Sequence, residues 1–314
     1  VAIVNGHINA ALSQFAAGTA INAQSRMIAQ LVAPEITVDK QSDSYYIFDA
    51  ADLRIDRPEY AAGANVARVV RSESEGTYKC KEFALEEAIP WGRLANADAG
   101  LRIERRATAG LVNKLMLRRE KAVADVLFAT GTFTNTAALA GANRWDVDTS
   151  NPVKAVSDAR EAVRLLCGLD PNTVVMGAAV WAALRNHPDI TSRVAGLVAG
   201  TPATEAQAAA ALGVERVLVG TAVYNAAAEG AAVSNANVWG KFASVCYIDP
   251  AAGRDVDGAI VPMQQFVWDG VADPFSTFTY ESNESRSHVV QCYDAVDAKA
   301  ISINSAYLYS TVVS

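Results

Sequence analysis

Histidine and cysteine are scarce, with 3 and 4 of 314 residues, and that scarcity removes most side-chain catalysis at once. A nucleophilic mechanism needs Ser or Cys within reach of a base. Yet His7 lies near the start of the chain, His187 precedes a proline at a helix end, and His288 stands beside a strand-like run, so all three read as structural or surface residues. No G-x-S-x-G elbow, no G-x-x-x-x-G-K-[ST] loop and no G-x-G-x-x-G between a strand and a helix occurs. Cys80, Cys167, Cys246 and Cys292 are far apart and form no C-x-x-C pair or Cys/His cluster, which points to a reduced, intracellular assembly environment. Long apolar runs are also missing. The longest, Val174 to Leu184, is about half of the ~20 residues that cross a bilayer. The opening VAIVNGHINA has neither a charged start nor a sustained apolar run, so the expectation is a soluble protein with no secretory signal and no membrane anchor. A basic excess is absent too. The net charge of -7 argues against a main task of gripping nucleic acid, and the five tryptophans, unaccompanied by a basic stripe, read as core or interface anchors.

What the chain does have is apolar content of 51%, ample for a large core, and one dominant stretch, Ala97 to Thr130. This run, ADAGLRIERRATAGLVNKLMLRREKAVADVLFAT, holds no proline and repeats apolar residues at helical spacing through Leu111, Val112, Leu115, Met116, Val123 and Leu127. It predicts an amphipathic helix roughly 50 Å long at ~1.5 Å per residue. Its polar face is basic: Arg102, Arg105, Arg106, Lys114, Arg118, Arg119 and Lys121 outnumber Asp98, Glu104 and Glu120.

Ahead of it, residues 1–44 have little to bury by themselves and read as a mobile terminus or an arm laid over something else, with a short helix from Asn22 to Val32. Residues 45–90 read as an ascending strand, a loop around Pro58 to Ala64 and a descending strand. A hairpin of this length is marginal in water alone and needs a partner outside itself. Its descending limb carries Glu73, Glu75, Glu82, Glu86 and Glu87 against Lys79 and Lys81, an acidic complement to the basic helix.

Behind the helix, Asn151 is a good N-cap, Pro152 suits the first helical position and Gly168 the stop. A short strand follows at Thr173 to Met176, then a helix from Ala178 to Asn186 halted by Pro188. A third helix opens at Thr201 and Pro202 and closes at Gly213, with strands at Val214 to Val219 and Val238 to Ile248. Helices alternating with short apolar strands make an α/β unit. The last part, Met263 to Ser314, is strand-like, through Phe278 and Tyr280, Val289 to Tyr293, and Ile301 and Ile303, and is expected to pair near the long helix. The one candidate for metal chemistry is the loop IDPAAGRDVDG, where Asp249, Asp255 and Asp257 offer oxygens to a hard cation. The spacing is not that of an EF-hand, and Asp-Pro and Asp-Gly are ordinary turn pairs, so the loop reads as a turn and no metal or cofactor is assigned.

Several phrases carry a resemblance: the helix run ADAGLRIERRATAGLVNKLMLRREKAVADVLF, the segment NPVKAVSDAREAVRLLCGLDPNTVVMGAAVWAALRNHPDI, VWGKFASVCYIDP, and the ending AKAISINSAYLYSTVV. With the element order they resemble the major capsid proteins of tailed bacteriophages, whose shell fold is shared with encapsulin nanocompartments. The resemblance implies an α+β fold with an N-terminal arm at about 1–44 and an extended β-hairpin loop at 45–92. A peripheral domain with its spine helix would take 93–150 and 264–314, the last residues returning to an α/β axial domain at 151–263. It also implies a non-enzymatic shell protein without cofactors, assembling through hexamers and pentamers into an icosahedral virion capsid in the host cytoplasm. That shell would enclose double-stranded DNA without sequence-specific binding, with scaffold, portal and decoration proteins as further partners and no membrane.

Some family members weld subunits through a Lys to Asn bond. Here Pro58 to Asn65 holds no lysine, and Lys79 and Lys81 sit lower, so no such weld is expected. A scaffolding-type N-terminal region is not seen before Val1, which implies a separate scaffold or a segment already removed. The expected contacts between copies pair Glu73, Glu75, Glu82, Glu86 and Glu87 with Arg102, Arg105, Arg118 and Arg119. The rival readings are an encapsulin-type compartment and an α/β ligand-binding or metal-dependent enzyme using the Asp249–Asp257 loop.

Overall fold

The computed structural model describes residues 7–24, 27–47, 55, 74–96, 100–194, 201–252 and 260–314. In chain order, β1 (His7–Ile8), α1 (Ala10–Gln24), α2 (Ala29–Val32), β2 (Glu35–Val38) and β3 (Ser42–Ile47) precede β4 (Ser74–Lys79) and β5 (Lys81–Pro90). Then come α3 (Trp91–Ala95), α4 (Gly100–Leu127), β6 (Asn135–Ala138), α5 (Pro152–Cys167), β7 (Thr173–Gly177), α6 (Ala178–Leu184), α7 (Pro188–Thr191) and α8 (Glu205–Leu212). The rest is strand: β8 (Arg216–Gly220), β9 (Val223–Asn225), β10 (Asn235–Asn237), β11 (Ala243–Cys246), β12 (Met263–Trp268), β13 (Thr277–Ser282), β14 (Ser287–Ala300) and β15 (Ala306–Ser310).

Local chemistry accounts for most of these boundaries. Asn151 accepts a hydrogen bond from Lys154 N at the start of α5, with Pro152 in the first turn. The helix ends at Gly168, whose φ of 74° is costly for any residue with a Cβ. The third helix starts later than its proline suggests. Thr204 and Gln207 form a reciprocal capping box that supplies more donors and acceptors to α8 than Thr201 can. Pro188 opens α7 instead of only halting α6, because His187 caps it by accepting from Asp189 N. The strand expected from Val238 shrinks to β11, since Val238–Lys241 is a turn with Gly240 at φ 53°.

Two sheets organise the molecule. A five-stranded sheet, ordered β6-β15-β11-β7-β8, packs with α5, α6 and α8 over a core that includes Val156, Val174, Val180, Leu184, Val217 and Val245. This is the expected α/β unit, completed by a strand from the far end of the chain. Ile301 and Ile303 do not extend a strand. β14 stops at Ala300, the chain turns at Ser302–Ser305, and β15 crosses to the α/β sheet. The six-stranded sheet is built on β14, whose 14 residues pair with β13, β12 and β5. β2 joins parallel to β12. A separate two-stranded ribbon, β3 with β4, rests on this sheet through Tyr45, Tyr78, Cys80 and Phe266.

α4 runs through both halves. Its 28 residues span about 42 Å at ~1.5 Å each. Ala107, Leu111, Val112, Leu115 and Met116 pack with α1, Ile89 and Val290, while Val123, Ala124 and Leu127 pack with residues 28–33, Trp239 and Leu308. Within the N-terminal stretch, α1 and residues 28–33 are therefore laid over this subunit's own helix, while β1, β2 and β3 pair with β13, β12 and β4. Two helices, 10–24 and 29–32, stand where one was expected at 22–32, with Ala16 and Ala20 of the first buried. Small residues pack closely but give almost no apolar period to read.

Candidate functional site

The charged faces that the sequence offers as contacts divide into three groups. Arg119 and Glu120, neighbours in the middle of α4, are not surface residues: Arg119 is 2% exposed and Glu120 0%. Arg119 Nε donates to Asp294 Oδ2 at 2.8 Å, and its terminal nitrogens reach Asp294 Oδ1 and Glu35 Oε1. Its guanidinium also lies over the Phe275 ring at 4.6 Å. Burial pulls the guanidinium pKa down, but the Asp294 and Glu35 carboxylates more than reverse this and raise it. Arg119 therefore joins β2, α4 and β14 inside the subunit. The expectation that it pairs with a neighbour is corrected, because both of its carboxylate partners come from its own chain.

Glu120 does the complementary work on the other flank. Its carboxylate accepts from Ile28 N at 3.0 Å, Ala29 N at 2.9 Å and Trp239 Nε1 at 2.6 Å. The first two are donors at the start of α2 that the helix itself leaves unpaired, the place where a helix favours negative charge. The third belongs to the α/β half. Burial pushes the Glu120 carboxyl above its ordinary range, and the three donors pull it part of the way back. Two adjacent residues of one helix thus tie together the start of α2, strands β2 and β14 of the six-stranded sheet, and the turn before β11 that carries Trp239. Periodicity cannot find this pair, since a polar residue on a helix becomes buried only when a distant partner arrives.

The second group stays open. Arg105 is exposed, with its guanidinium 5.7 Å from the Phe15 ring centroid. Arg118 is half-buried and stacks on Phe83, with Nη1 lacking a hydrogen-bond partner among the described residues. Burial lowers the Arg118 pKa, Asp294 raises it and Arg119 lowers it further. Glu75 is exposed on β4 of the ribbon. Glu73 and the Arg102 side chain lie outside the described residues.

The third group changes address. Glu82, Glu86 and Glu87 do not sit on a free hairpin limb, because that limb breaks at Cys80 and continues as β5 along β14. All three side chains are exposed there; Glu86 accepts from Tyr280 Oη at 3.0 Å, and Gln41 Nε2 reaches Glu82 at 3.4 Å. Nothing local marks this break, because β4 and β5 share polarity and propensity and differ only in which strand lies beside them.

The remaining chemical candidates are occupied by structure. His187 Nε2 lies 3.1 Å from Ser150 Oγ and 3.1 Å from Val147 O. His288 sits between Glu281, at 2.6 Å, and Glu104, at 3.3 Å. Asp249 closes its own turn by accepting from Ala251 N, while Asp255 and Asp257 lie outside the described residues. Among the described residues no group of three or more His, Cys, Asp or Glu is arranged to hold a metal, and no helix is long and apolar enough to cross a membrane.

Comparison with known proteins agrees with this picture. The family model for phage capsid protein matches residues 94–299. A major capsid protein of Pseudomonas phage JBD67 is 29% identical over 234 residues, which are 72% of this chain and 74% of that protein. The solved structure of a phage-related protein from Bordetella bronchiseptica RB50 is similar with a TM-score of 0.79 at 22% identity, covering 98% of this chain and 99% of that one. The capsid of cyanophage P-SCSP1u gives a TM-score of 0.57 at 10% identity over 88% and 85%. These likenesses identify the fold as that of phage capsid shells. Because the family model spans the long helix, the α/β layer and most of β14, this chain belongs to the phage capsid protein family, as a major capsid protein with a structural role.

Proposed function

We propose that many copies of this chain close through hexamers and pentamers into an icosahedral shell that holds double-stranded DNA without reading its sequence. The observation that carries the reading is the ribbon β3–β4, which pairs with no strand of the main sheets and rests on them through side chains such as Tyr45 and Tyr78. In the connection between its two strands Ile55 is 95% exposed. A two-stranded ribbon is marginal by itself, and an isoleucine that open to water gains only by cover from another copy.

In this reading the extended loop expected at 45–92 keeps only its part up to Lys79, the ribbon and the residues between its strands, which crosses onto a neighbouring subunit, while Lys81–Pro90 stays in the six-stranded sheet as β5. The arm is 1–44, the peripheral part is 93–150 with 264–314, and the axial part is 151–263. Glu75, Arg105 and Arg118 are its open charged contacts, with Glu73 and Arg102 as further candidates. Exposed ion pairs contribute ~0 to 1 kcal/mol each, so apolar burial repeated over many interfaces supplies most of the strength. Charge pairs orient the contact. The net charge of -7 keeps packed DNA from adhering to the wall. Scaffold, portal and decoration proteins are the further partners this reading requires, with assembly in the host cytoplasm before the shell becomes part of the virion.

Electron microscopy of the purified full chain tests the proposal, with closed particles as the expected result. Deleting residues 54–70 is expected to leave a folded subunit, by circular dichroism, that builds no normal shell. Normal particles from that deletion refute the role given to the loop. Nuclease-protected double-stranded DNA is the expected content of particles isolated from cells, and a packaged enzyme in its place refutes the genome-container reading.

A further inference from the structure

Between the second half of α4 and the six-stranded sheet, Ala122 and Ala298 are too small to fill the space, and a cleft of about 260 Å³ remains. That is below the ~300–1,000 Å³ of sites that hold drug-sized molecules, so it suits a small ion. The cations around it are not all balanced inside the subunit. Arg119 is, by Asp294 and Glu35. Its neighbour Arg118 senses the charge of Asp294 but makes no ion pair among the described residues, and its Nη1 is buried there without a hydrogen-bond partner. Phe83 stacks on that guanidinium and fixes its plane. Lys81 lies two residues before Phe83 on the same face of β5, and it too has no ion pair among the described residues. The carboxylate in the lining, Asp297, is already engaged by Lys79 N at 2.9 Å and Lys299 Nζ at 3.4 Å.

A second polar group of the lining narrows the ligand. Gln265 is 1% exposed, and its Nε2 donates to Ala33 O at 2.7 Å, which leaves Oε1 buried with no donor among the described residues. A buried guanidinium nitrogen and a buried amide oxygen both cost free energy until something pairs with them. The cleft therefore asks for a small ligand that carries negative oxygens for Arg118 and Lys81 and one O–H for Gln265. Hydrogen phosphate has both. Sulfate and carboxylates at neutral pH only accept, and the phosphodiester of a nucleic acid has no proton to donate. We propose that this cleft binds one inorganic phosphate ion, with its charged oxygens on Arg118 and Lys81 and its O–H on Gln265 Oε1. Held there, the ion links β5, α4 and β12 from inside one subunit. The shell reading stands whether or not the ion binds, because Arg118 acts here within its own chain.

The test follows thermal unfolding of the full, unassembled chain at fixed pH and ionic strength. Sulfate is the baseline, since both anions stabilise folded proteins generally by exclusion from their surfaces. The midpoint is expected to rise further with phosphate than with sulfate, and to keep rising with the logarithm of phosphate concentration, as for a ligand of the native state. Broadening of the phosphate phosphorus resonance on addition of the chain reads the binding directly. Arg118→Met is expected to weaken phosphate binding at least about tenfold, the effect of losing a hydrogen bond to a charged group. Lys81→Met, a change at an exposed side chain that leaves the fold intact, is expected to weaken it severalfold. Gln265→Met should remove the preference for phosphate over sulfate, because it deletes the acceptor that only phosphate can use. Four results overturn the proposal: equal effects of phosphate and sulfate on the wild-type chain, a phosphate response unchanged in either cation variant, a phosphate preference that survives Gln265→Met, or stabilisation by a short DNA duplex where inorganic phosphate gives none.

Discussion

Arg119→Ala is the substitution whose effect follows most directly from the geometry. It removes the guanidinium that is 2% exposed and leaves Asp294, 0% exposed, and Glu35, 8% exposed, as carboxylates without their cation. Breaking a buried ion pair from one side costs about 3–5 kcal/mol, because the abandoned charge cannot recover its hydration. Domains of ordinary size hold only ~5–15 kcal/mol in all, so this loss threatens the fold itself. Urea unfolding of the unassembled subunit, followed by tryptophan fluorescence, reads it. With an m-value of about 3 kcal/mol/M, the midpoint is expected to fall by roughly 1–1.7 M.

Two further arms separate the physical cause from mere loss of packing. Arg119→Met combined with Asp294→Asn and Glu35→Gln removes the stranded charges, and most of the stability should return. Arg118→Glu, one residue away but half-open, should change the midpoint by less than about 1 kcal/mol equivalent while impairing assembly, most of all at low salt. A loss below ~1 kcal/mol in Arg119→Ala would refute the argument.

Two other outcomes follow from the structure. Gly220→Ala places a Cβ 2.1 Å from the Trp239 ring, the same ring whose N–H is held by Glu120. The clash is expected to cost about 1–3 kcal/mol in thermal or urea unfolding and to shift the tryptophan emission; a neutral result means that Trp239 can move. All four cysteines are buried, and burial pushes the Cys80 thiol up to about 11 and those of Cys246 and Cys292 up to about 12. Since the thiolate is the reacting form, labelling by a thiol reagent at about pH 8 should be negligible in the native protein and reach all four groups after unfolding. Rapid native labelling would contradict the burial.

The sequence by itself determined whatever is decided within a few residues or a few helical turns. Asn151, Pro152 and Gly168 set the ends of α5 because their cap and turn chemistry is local. The apolar repeat from Leu111 to Leu127 was long enough to mark α4 without any partner. The shell-fold resemblance likewise rested on runs that are continuous in the chain, and the family match at 94–299 covers most of them.

Tertiary structure alone decided which charges stay in water. Arg119 and Arg118 are adjacent in sequence and identical in type. One is buried because Asp294, 175 residues away, and Glu35, 84 away, converge on it, and the other remains half-open beside Phe83. Glu82, Glu86 and Glu87 read as a free limb until β14 supplied a partner for their backbone and turned them into the edge of a sheet. Strand identity, edge position and ion-pair burial are all long-range contacts, and no periodicity along the chain encodes which distant segment will arrive.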